Sequence, residues 1–76
     1  MKMKTIQIYS EIIKLDQLLK FAGIAESGSM AKAMIQDEMV KVNGETVTAR
    51  GKKLKPGDTV EVEGLGTFQL VSEKAQ

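Results

Sequence analysis

The stretch VKVNGETV, residues 40–47, carries the strongest indication of local structure in this chain. Asn43 and Gly44 form a dipeptide that favours a tight β-hairpin turn, because both residues readily adopt a positive φ. The two valines before the turn alternate with polar residues, so they are expected to face a core, and Lys41 between them is expected to face away from it. The stretch therefore predicts two short antiparallel strands, with Lys41 on the outer face of the first.

Upstream of the hairpin, apolar residues recur with the period of an α-helix in two segments. The first is KLDQLLKFAGI, residues 14–24, with Asp16 in its first turn and Gly23 just past its end. The second begins at a cap formed by Ser27 or Ser29 and ends near Glu38. The apolar stripes consist of Leu15, Leu18, Leu19 and Ala22 in the first helix and Met30, Ala31, Met34 and Ile35 in the second. A connection of about five residues predicts that the helices pack as neighbours.

Three further segments alternate apolar and polar residues and are predicted to be strands. They are TIQIY (5–9), TVEVEG (59–64) and LGTFQLV (65–71). The segment ARGKKLKPGD (49–58) is predicted to be a loop that ends in a Pro-Gly-Asp turn. The expected fold class is α+β, with two short packed helices against a small, mostly antiparallel β-sheet. The chain has 76 residues and is expected to form one domain, residues 1–76.

The composition excludes several classes of chemistry. The chain has no cysteine and no histidine, which rules out disulfides, zinc sites built on these residues, and nucleophilic catalysis by Cys or by a Ser–His pair. The carboxylates form no convergent pair and have no metal-ligand spacing, so we expect no catalytic residue, no metal and no cofactor. No apolar run approaches the roughly 18 residues that cross a membrane, so we expect a cytoplasmic protein without a membrane partner.

Charge is polarised along the chain, although the net charge is only +1. Residues 14–55 contain eight basic and five acidic side chains, whereas residues 58–76 contain one basic and four acidic side chains. This pattern is typical of a protein that binds an anionic partner with one face. Three features fit such a face: the helix start SGSMAK (27–32), Lys41, and the basic run RGKKLK (50–55). Each also has a simpler explanation, respectively helix capping, a solvated strand lysine and a solvated loop.

The order of these features over residues 14–62 resembles the RNA-binding domain of the S-four type, named after the fourth protein of the small ribosomal subunit and also called the αL RNA-binding motif. The matching positions are Lys14-Leu15-Asp16, Gly23, Ser27, Ala31 with Ile35, Val40 to Gly44, and Gly57-Asp58. The chain is most similar to the short stand-alone bacterial members of this family. The resemblance implies that RNA lies across the two helices and the start of the hairpin.

When the RNA-contacting positions of the family are transferred to this chain, the resemblance implies that seven residues contact RNA. They are Lys14, Ser27, Gly28, Ser29, Lys32, Lys41 and Asn43. The charge pattern extends this set with Arg50, Lys52 and Lys53. Two positions depart from the family pattern, because Gly28 stands where many members have Arg and Lys14 stands where Arg is usual. Both changes remove a guanidinium that could bind phosphate with two parallel hydrogen bonds.

The first functional hypothesis is a non-enzymatic, monomeric protein that recognises structured RNA, ribosomal or transfer RNA, through phosphate and shape contacts. The ribosome is then an expected partner. Direct reading of bases is expected to be minor, since the aromatic residues are only Tyr9, Phe21 and Phe68. The alternative hypothesis is a protein-interaction adaptor that uses the same basic face on an acidic protein.

Overall fold

The computed structural model describes residues 4–72, which form two helices and seven strands. In chain order these elements are β1 (Lys4–Ile8), β2 (Ile13–Lys14), α1 (Leu15–Phe21), α2 (Gly28–Gln36), β3 (Val40–Val42), β4 (Glu45–Thr46), β5 (Lys53–Leu54), β6 (Thr59–Val62) and β7 (Gly66–Ser72). Residues 1–3 and 73–76 of the predicted single domain lie outside the described residues. No helix within residues 4–72 has the length and apolar character needed to cross a membrane.

Both helices occur where the sequence predicts them. Gly23 follows α1 with a φ of +76°, in the left-handed region that glycine adopts without a steric penalty. Ser27, and not Ser29, caps α2, because its Oγ accepts a hydrogen bond from the Met30 N–H at 3.2 Å. The helix ends at Gln36, earlier than predicted, and the chain turns at Glu38, which adopts a φ of +62°.

One residue of the second apolar stripe is not part of the core. Met30 is 44% exposed, whereas Ala31, Met34 and Ile35 are buried. At about 100° per residue, Met30 points well to one side of Ala31, so the core-facing stripe of α2 is narrower than predicted.

The main sheet has the strand order β1-β7-β6-β3-β4. Its neighbours are antiparallel except for β1 and β7, which pair in parallel, so the sheet is mostly antiparallel as predicted. The hairpin of β3 and β4 turns at Asn43 and Gly44, whose φ values are +52° and +88°. Positive φ at both central residues is the conformation that an Asn-Gly dipeptide favours in a two-residue hairpin turn.

A second, two-stranded sheet corrects the sequence interpretation. Residues 49–58 were expected to be a loop, but β5 within them pairs antiparallel with β2. Leu54 is 1% exposed and lies opposite Ile13, which packs against the core. The pairing was not predicted because a single apolar residue between two lysines is too short a pattern to indicate a strand.

The hydrophobic core lies between the helices and the main sheet. The alternation predicted for β6 and β7 is confirmed, because Val60, Val62, Phe68 and Leu70 are all buried. The largest fully buried side chains of the helices are Leu15, Leu18, Leu19 and Ile35. No polar or charged residue is buried within the described part of the chain. The charged residues that could bind a ligand therefore lie on the surface.

Candidate nucleic-acid interface

The N-terminus of α1 is held against the basic loop that precedes β5. The Leu15 N–H donates a hydrogen bond to the Lys52 carbonyl at 2.8 Å, and the Asp16 N–H donates one to the Arg50 carbonyl at 3.1 Å. The first N–H groups of a helix have no partner within the helix, and here the loop supplies two of the missing acceptors. Two of the basic residues of the loop are thereby attached, through their backbones, to the start of α1.

Lys14 and Lys53 face each other across the β2–β5 pair. Both are exposed, while Ile13 and Leu54, the other pair of this ladder, point towards the core. Like charges directly opposite each other destabilise a strand pair. The fold nevertheless places these two lysines at paired positions of the ladder, which concentrates positive charge in this part of the surface.

We refer to Lys14, Arg50, Lys52 and Lys53 as the basic cluster. All four side chains are exposed, and none forms an ion pair with another residue among positions 4–72. Asp16 is the acidic residue attached to the same loop, and its Oδ1 is buried without a hydrogen-bond partner in the described structure. The four cations are thus available to an external anion, although Asp16 reduces their summed potential.

A second group of predicted contacts lies at the start of α2. Ser27 uses its hydroxyl to cap the helix, and Gly28, Ser29 and Lys32 are exposed. The first turn contains no acidic residue, so the positive end of the helix dipole is not neutralised from within the helix. A Cβ added at Gly28 would meet no atom within 4 Å, so the missing side chain does not reflect a steric need for glycine.

Lys41 lies in different surroundings from the basic cluster. It points to the outer face of β3 and pairs in register with Glu61 of β6 and Thr46 of β4. It also lines a shallow hollow of about 330 Å³ together with Glu38, Glu61 and Glu63. Three acidic residues and one lysine line this hollow, so the local potential is less favourable for phosphate than the sequence suggests. The RNA contact expected of Lys41 remains a prediction.

Asn43 has partners within the protein for both polar atoms of its side chain. Its Oδ1 accepts a hydrogen bond from the Thr59 N–H at 3.0 Å, and its Nδ2 donates one to Oδ1 of Asp58 at 3.3 Å. The Asn43 N–H also donates to the Thr59 carbonyl at 2.8 Å. These bonds join the hairpin turn to the start of β6, so Asn43 has a structural role whether or not it also contacts RNA.

Asp58 completes this network, and the surroundings of its carboxyl group shift its pKa. Its partial burial raises the pKa, but the hydrogen bonds from the Lys55 N–H and the Asn43 side chain, with the positive charges of Lys55 and Lys52, lower the pKa to a net value below the ordinary one. Oδ2 accepts from the Lys55 N–H at 3.0 Å, and Oδ1 lies 3.7 Å from Lys55 Nζ. Lys55 is therefore engaged by Asp58 and is less available to an external anion than the basic cluster.

Sequence reasoning missed two features of this surface. One is the attachment of the basic loop to α1, for which the only local signal was the apolar Leu54 within a run of lysines. The other is the contact between Tyr9 and Phe21, which are exposed and lie side by side. Neither could be read from local periodicity, because each joins segments that are not adjacent in the sequence.

Comparison with known proteins agrees with this architecture. A family model described as S4 domain matches residues 6–71. The chain is 48% identical over 67 residues to the Bacillus subtilis (strain 168) protein named "Probable ribosome maturation protein RlbA", a match that covers 88% of this chain and 94% of that protein. It is 40% identical over 52 residues to the Escherichia coli (strain K12) protein named "Putative RNA-binding protein YbcJ", covering 68% of this chain and 74% of that protein. The family-model match extends over the helices, the hairpin and most of the strands, and together with the two relatives it confirms the resemblance drawn from the sequence. The chain belongs to the S4 domain family, and it is similar to short, stand-alone members of that family.

Proposed function

We propose that this protein binds structured RNA through phosphate and shape contacts and that it does not itself catalyse a reaction. The observation that carries the proposal is the basic cluster, in which Lys14 and Lys53 face each other without an ion-pair partner among the described residues. Such a pair opposes folding slightly, by about 0.2–1 kcal/mol for a cross-strand contact, and a bound phosphate would reverse the sign of its contribution.

The ribosome is the partner that the relatives favour. The Bacillus subtilis relative is named for ribosome maturation, and the match covers 88% of this chain. We therefore propose ribosomal RNA as the target of this protein. Transfer RNA is the other structured RNA that this protein could bind, so binding to transfer RNA is compared with binding to ribosomal RNA. We propose that the protein acts as a monomer in the cytoplasm, where ribosomes are assembled.

The proposed interface combines the basic cluster with the start of α2. Backbone N–H groups at the start of a helix bind phosphate oxygens, and Ser29 and Lys32 add a hydroxyl and a positive charge there. This arrangement suits recognition of a phosphate backbone, because lysine binds phosphate as a compact point charge and lacks the planar fork with which arginine binds in a fixed geometry. Lys41 and Asn43 extend the proposed interface towards the hairpin.

The proposal is tested by a salt titration of binding to ribosomal RNA fragments and to transfer RNA. We compare the wild-type protein with Lys14→Ala and with the double variant Lys52→Ala/Lys53→Ala. Each lost phosphate contact should flatten the plot of log K against log salt by about 0.7–0.9. Lys4→Ala is the matched control, because it removes the same charge from β1, where the Lys4 ammonium lies 6.0 Å from the centre of the Phe68 ring.

Three outcomes can be distinguished. Flatter slopes for both cluster variants, with the slope of Lys4→Ala unchanged, support phosphate binding at the basic cluster. Flattening in proportion to the number of charges removed, with Lys4→Ala equal to Lys14→Ala, would mean that only net charge matters and would contradict a defined interface. If the wild-type protein does not bind either RNA at low salt, the RNA proposal is wrong, and an acidic protein becomes the partner to seek.

A further inference from the structure

Two of the three aromatic residues of this chain lie exposed and in contact with each other. Tyr9 is 66% exposed and Phe21 is 52% exposed, and their ring centroids are 6.2 Å apart with an angle of 80° between the ring planes. The third aromatic residue, Phe68, is only 8% exposed and belongs to the core. Tyr9 and Phe21 both lie outside the hydrophobic core, and adjacent exposed apolar side chains can mark a binding site.

The aromatic pair and one member of the basic cluster lie at the two ends of α1. Lys14 directly precedes the first residue of α1 and has an extended backbone, and Phe21 is the last residue of the helix. Lys14, Gln17 and Phe21 are exposed, whereas Leu15, Leu18 and Leu19 are fully buried. The rise from Lys14 to Phe21 is about 10 Å, equivalent to about three steps of a stacked strand at roughly 3.4 Å each.

We infer that Tyr9 and Phe21 form a subsite that stacks an unpaired base of the RNA whose phosphates the basic cluster binds, an inference that rests on the proposed function. The edge-to-face contact holds the two rings against each other and leaves ring surface open to solvent. An RNA strand that leaves a double helix near Lys14 reaches Phe21 after a few nucleotides. The protein would then bind best at a junction between paired and unpaired RNA.

The chemistry of the aromatic pair favours an unpaired base as its ligand over a phosphate group or a protein. The segment that carries Tyr9 also carries Glu11 and the exposed Ile12, which provide no positive charge for a phosphate. Every base presents a flat π surface, so an aromatic platform accepts any unpaired base. A stable protein interface buries about 800 Å² on each partner, far more than the surface of two rings and one isoleucine can supply.

The test compares three RNA hairpins that share one stem. The first has a blunt end, the second carries a single-stranded 3′ extension of adenosines, and the third carries the same extension with abasic riboses. Wild-type protein should bind the adenosine extension roughly 5- to 100-fold more tightly than the blunt hairpin, and the abasic extension should lose this gain. The double variant Tyr9→Leu/Phe21→Leu keeps the apolar character but should bind all three hairpins equally.

The protein also supplies its own optical probe. Tyr9 is its only tyrosine, and it has no tryptophan, so intrinsic fluorescence excited near the tyrosine band reports on this one ring. Stacking of adenine on the pair should quench that fluorescence with the adenosine extension and not with the abasic one. Leu65→Ala, which removes another exposed apolar side chain, is the matched control and should leave binding and quenching unchanged.

The outcomes separate this inference from the proposed function. Equal, salt-dependent binding of all three hairpins by the wild-type protein, without quenching, would overturn the base-stacking subsite and leave RNA binding intact. No binding of any hairpin would overturn both. If Tyr9→Leu/Phe21→Leu binds the hairpins as the wild-type protein does but no longer sediments with ribosomes, the pair contacts a protein and the inference is wrong.

Discussion

Replacing Asn43 with alanine should strongly destabilise the protein, although the residue is exposed. The side chain makes two hydrogen bonds, to the Thr59 N–H at 3.0 Å and to Asp58 at 3.3 Å, and the backbone adopts a φ of +52°. Alanine can form neither bond and is unfavourable in the left-handed region. The perturbation therefore removes the connection between the hairpin turn and β6 and also strains the turn.

The magnitude follows from these contacts. Each hydrogen bond contributes about 0.5–1.5 kcal/mol, and the left-handed conformation costs a residue other than Asn, Asp or Gly about 1–2 kcal/mol. The sum is about 2–5 kcal/mol, against a total stability of roughly 4–11 kcal/mol for a domain of this length. At about 4–8 °C per kcal/mol for a small domain, the melting temperature should fall by roughly 8 to 40 °C.

The assay is thermal unfolding followed by circular dichroism, with RNA binding measured well below the melting temperature. Thr46→Ala is the matched control in the same hairpin, because Thr46 is exposed and should change the stability by less than about 0.5 kcal/mol. Asn43→Asp tolerates the positive φ and keeps an oxygen for the Thr59 N–H, but it places a second carboxylate against Asp58. That variant should be destabilised at neutral pH and should recover part of the loss on acidification, when one of the two carboxylates becomes protonated.

A melting temperature of Asn43→Ala close to that of the wild-type protein would refute this reasoning. If RNA affinity then fell while stability did not, Asn43 would act mainly as an RNA contact, as its position in the family pattern implies. If stability falls as expected and the folded variant retains its RNA affinity, the side chain serves the fold alone.

Three further predictions follow from the same surface. Gly28→Arg meets no steric obstacle at its Cβ, so it should strengthen RNA binding and steepen the salt dependence by about 0.7–0.9; an unchanged slope would mean that RNA does not pass the start of α2. Lys53→Ala should relieve the like-charge pair with Lys14, which raises the melting temperature slightly while RNA binding weakens; a lower melting temperature would contradict the repulsion. Asp58 has a lowered pKa in the folded protein, so its stabilisation is present above the ordinary aspartate pKa of about 4 and is lost as the pH falls through and below that value. In melts at about pH 6 and about pH 3, Asp58→Asn should therefore lose less stability on acidification than the wild-type protein, and equal losses would show that Asp58 is not responsible.

The candidate site could be predicted from the sequence only in part. The family pattern predicted RNA contacts at Lys14 and at the start of α2. The charge pattern alone predicted RNA contacts at Arg50, Lys52 and Lys53. The structure brings the last three to the start of α1 beside Lys14. It does not bring Lys41 into that cluster but places it beside Glu61, which is its cross-strand neighbour and lies twenty residues away in the sequence. Strand pairing between distant segments determines which charges become neighbours, and local periodicity carries no information about it.

The sequence by itself determined the local elements of this protein. The Asn43-Gly44 turn, a serine cap at the start of α2, the glycine after α1 and the alternation in β6 and β7 all arise from the conformational preferences of neighbouring residues, although the choice of Ser27 over Ser29 as the cap came from the structure. These preferences act over a few residues, so they can be recognised without knowledge of the rest of the chain.

Only the tertiary structure decided how the surface is assembled. The pairing of β2 with β5 joins residues separated by about forty positions, and it creates the Lys14–Lys53 pair and attaches the basic loop to α1. The contact of Tyr9 with Phe21 likewise depends on how β1 and α1 pack. Such contacts form because the whole core must bury its apolar side chains at once, and Ile13 and Leu54 enter that core only when their strands pair. Burial of those two apolar residues therefore fixes the positions of the charged residues beside them.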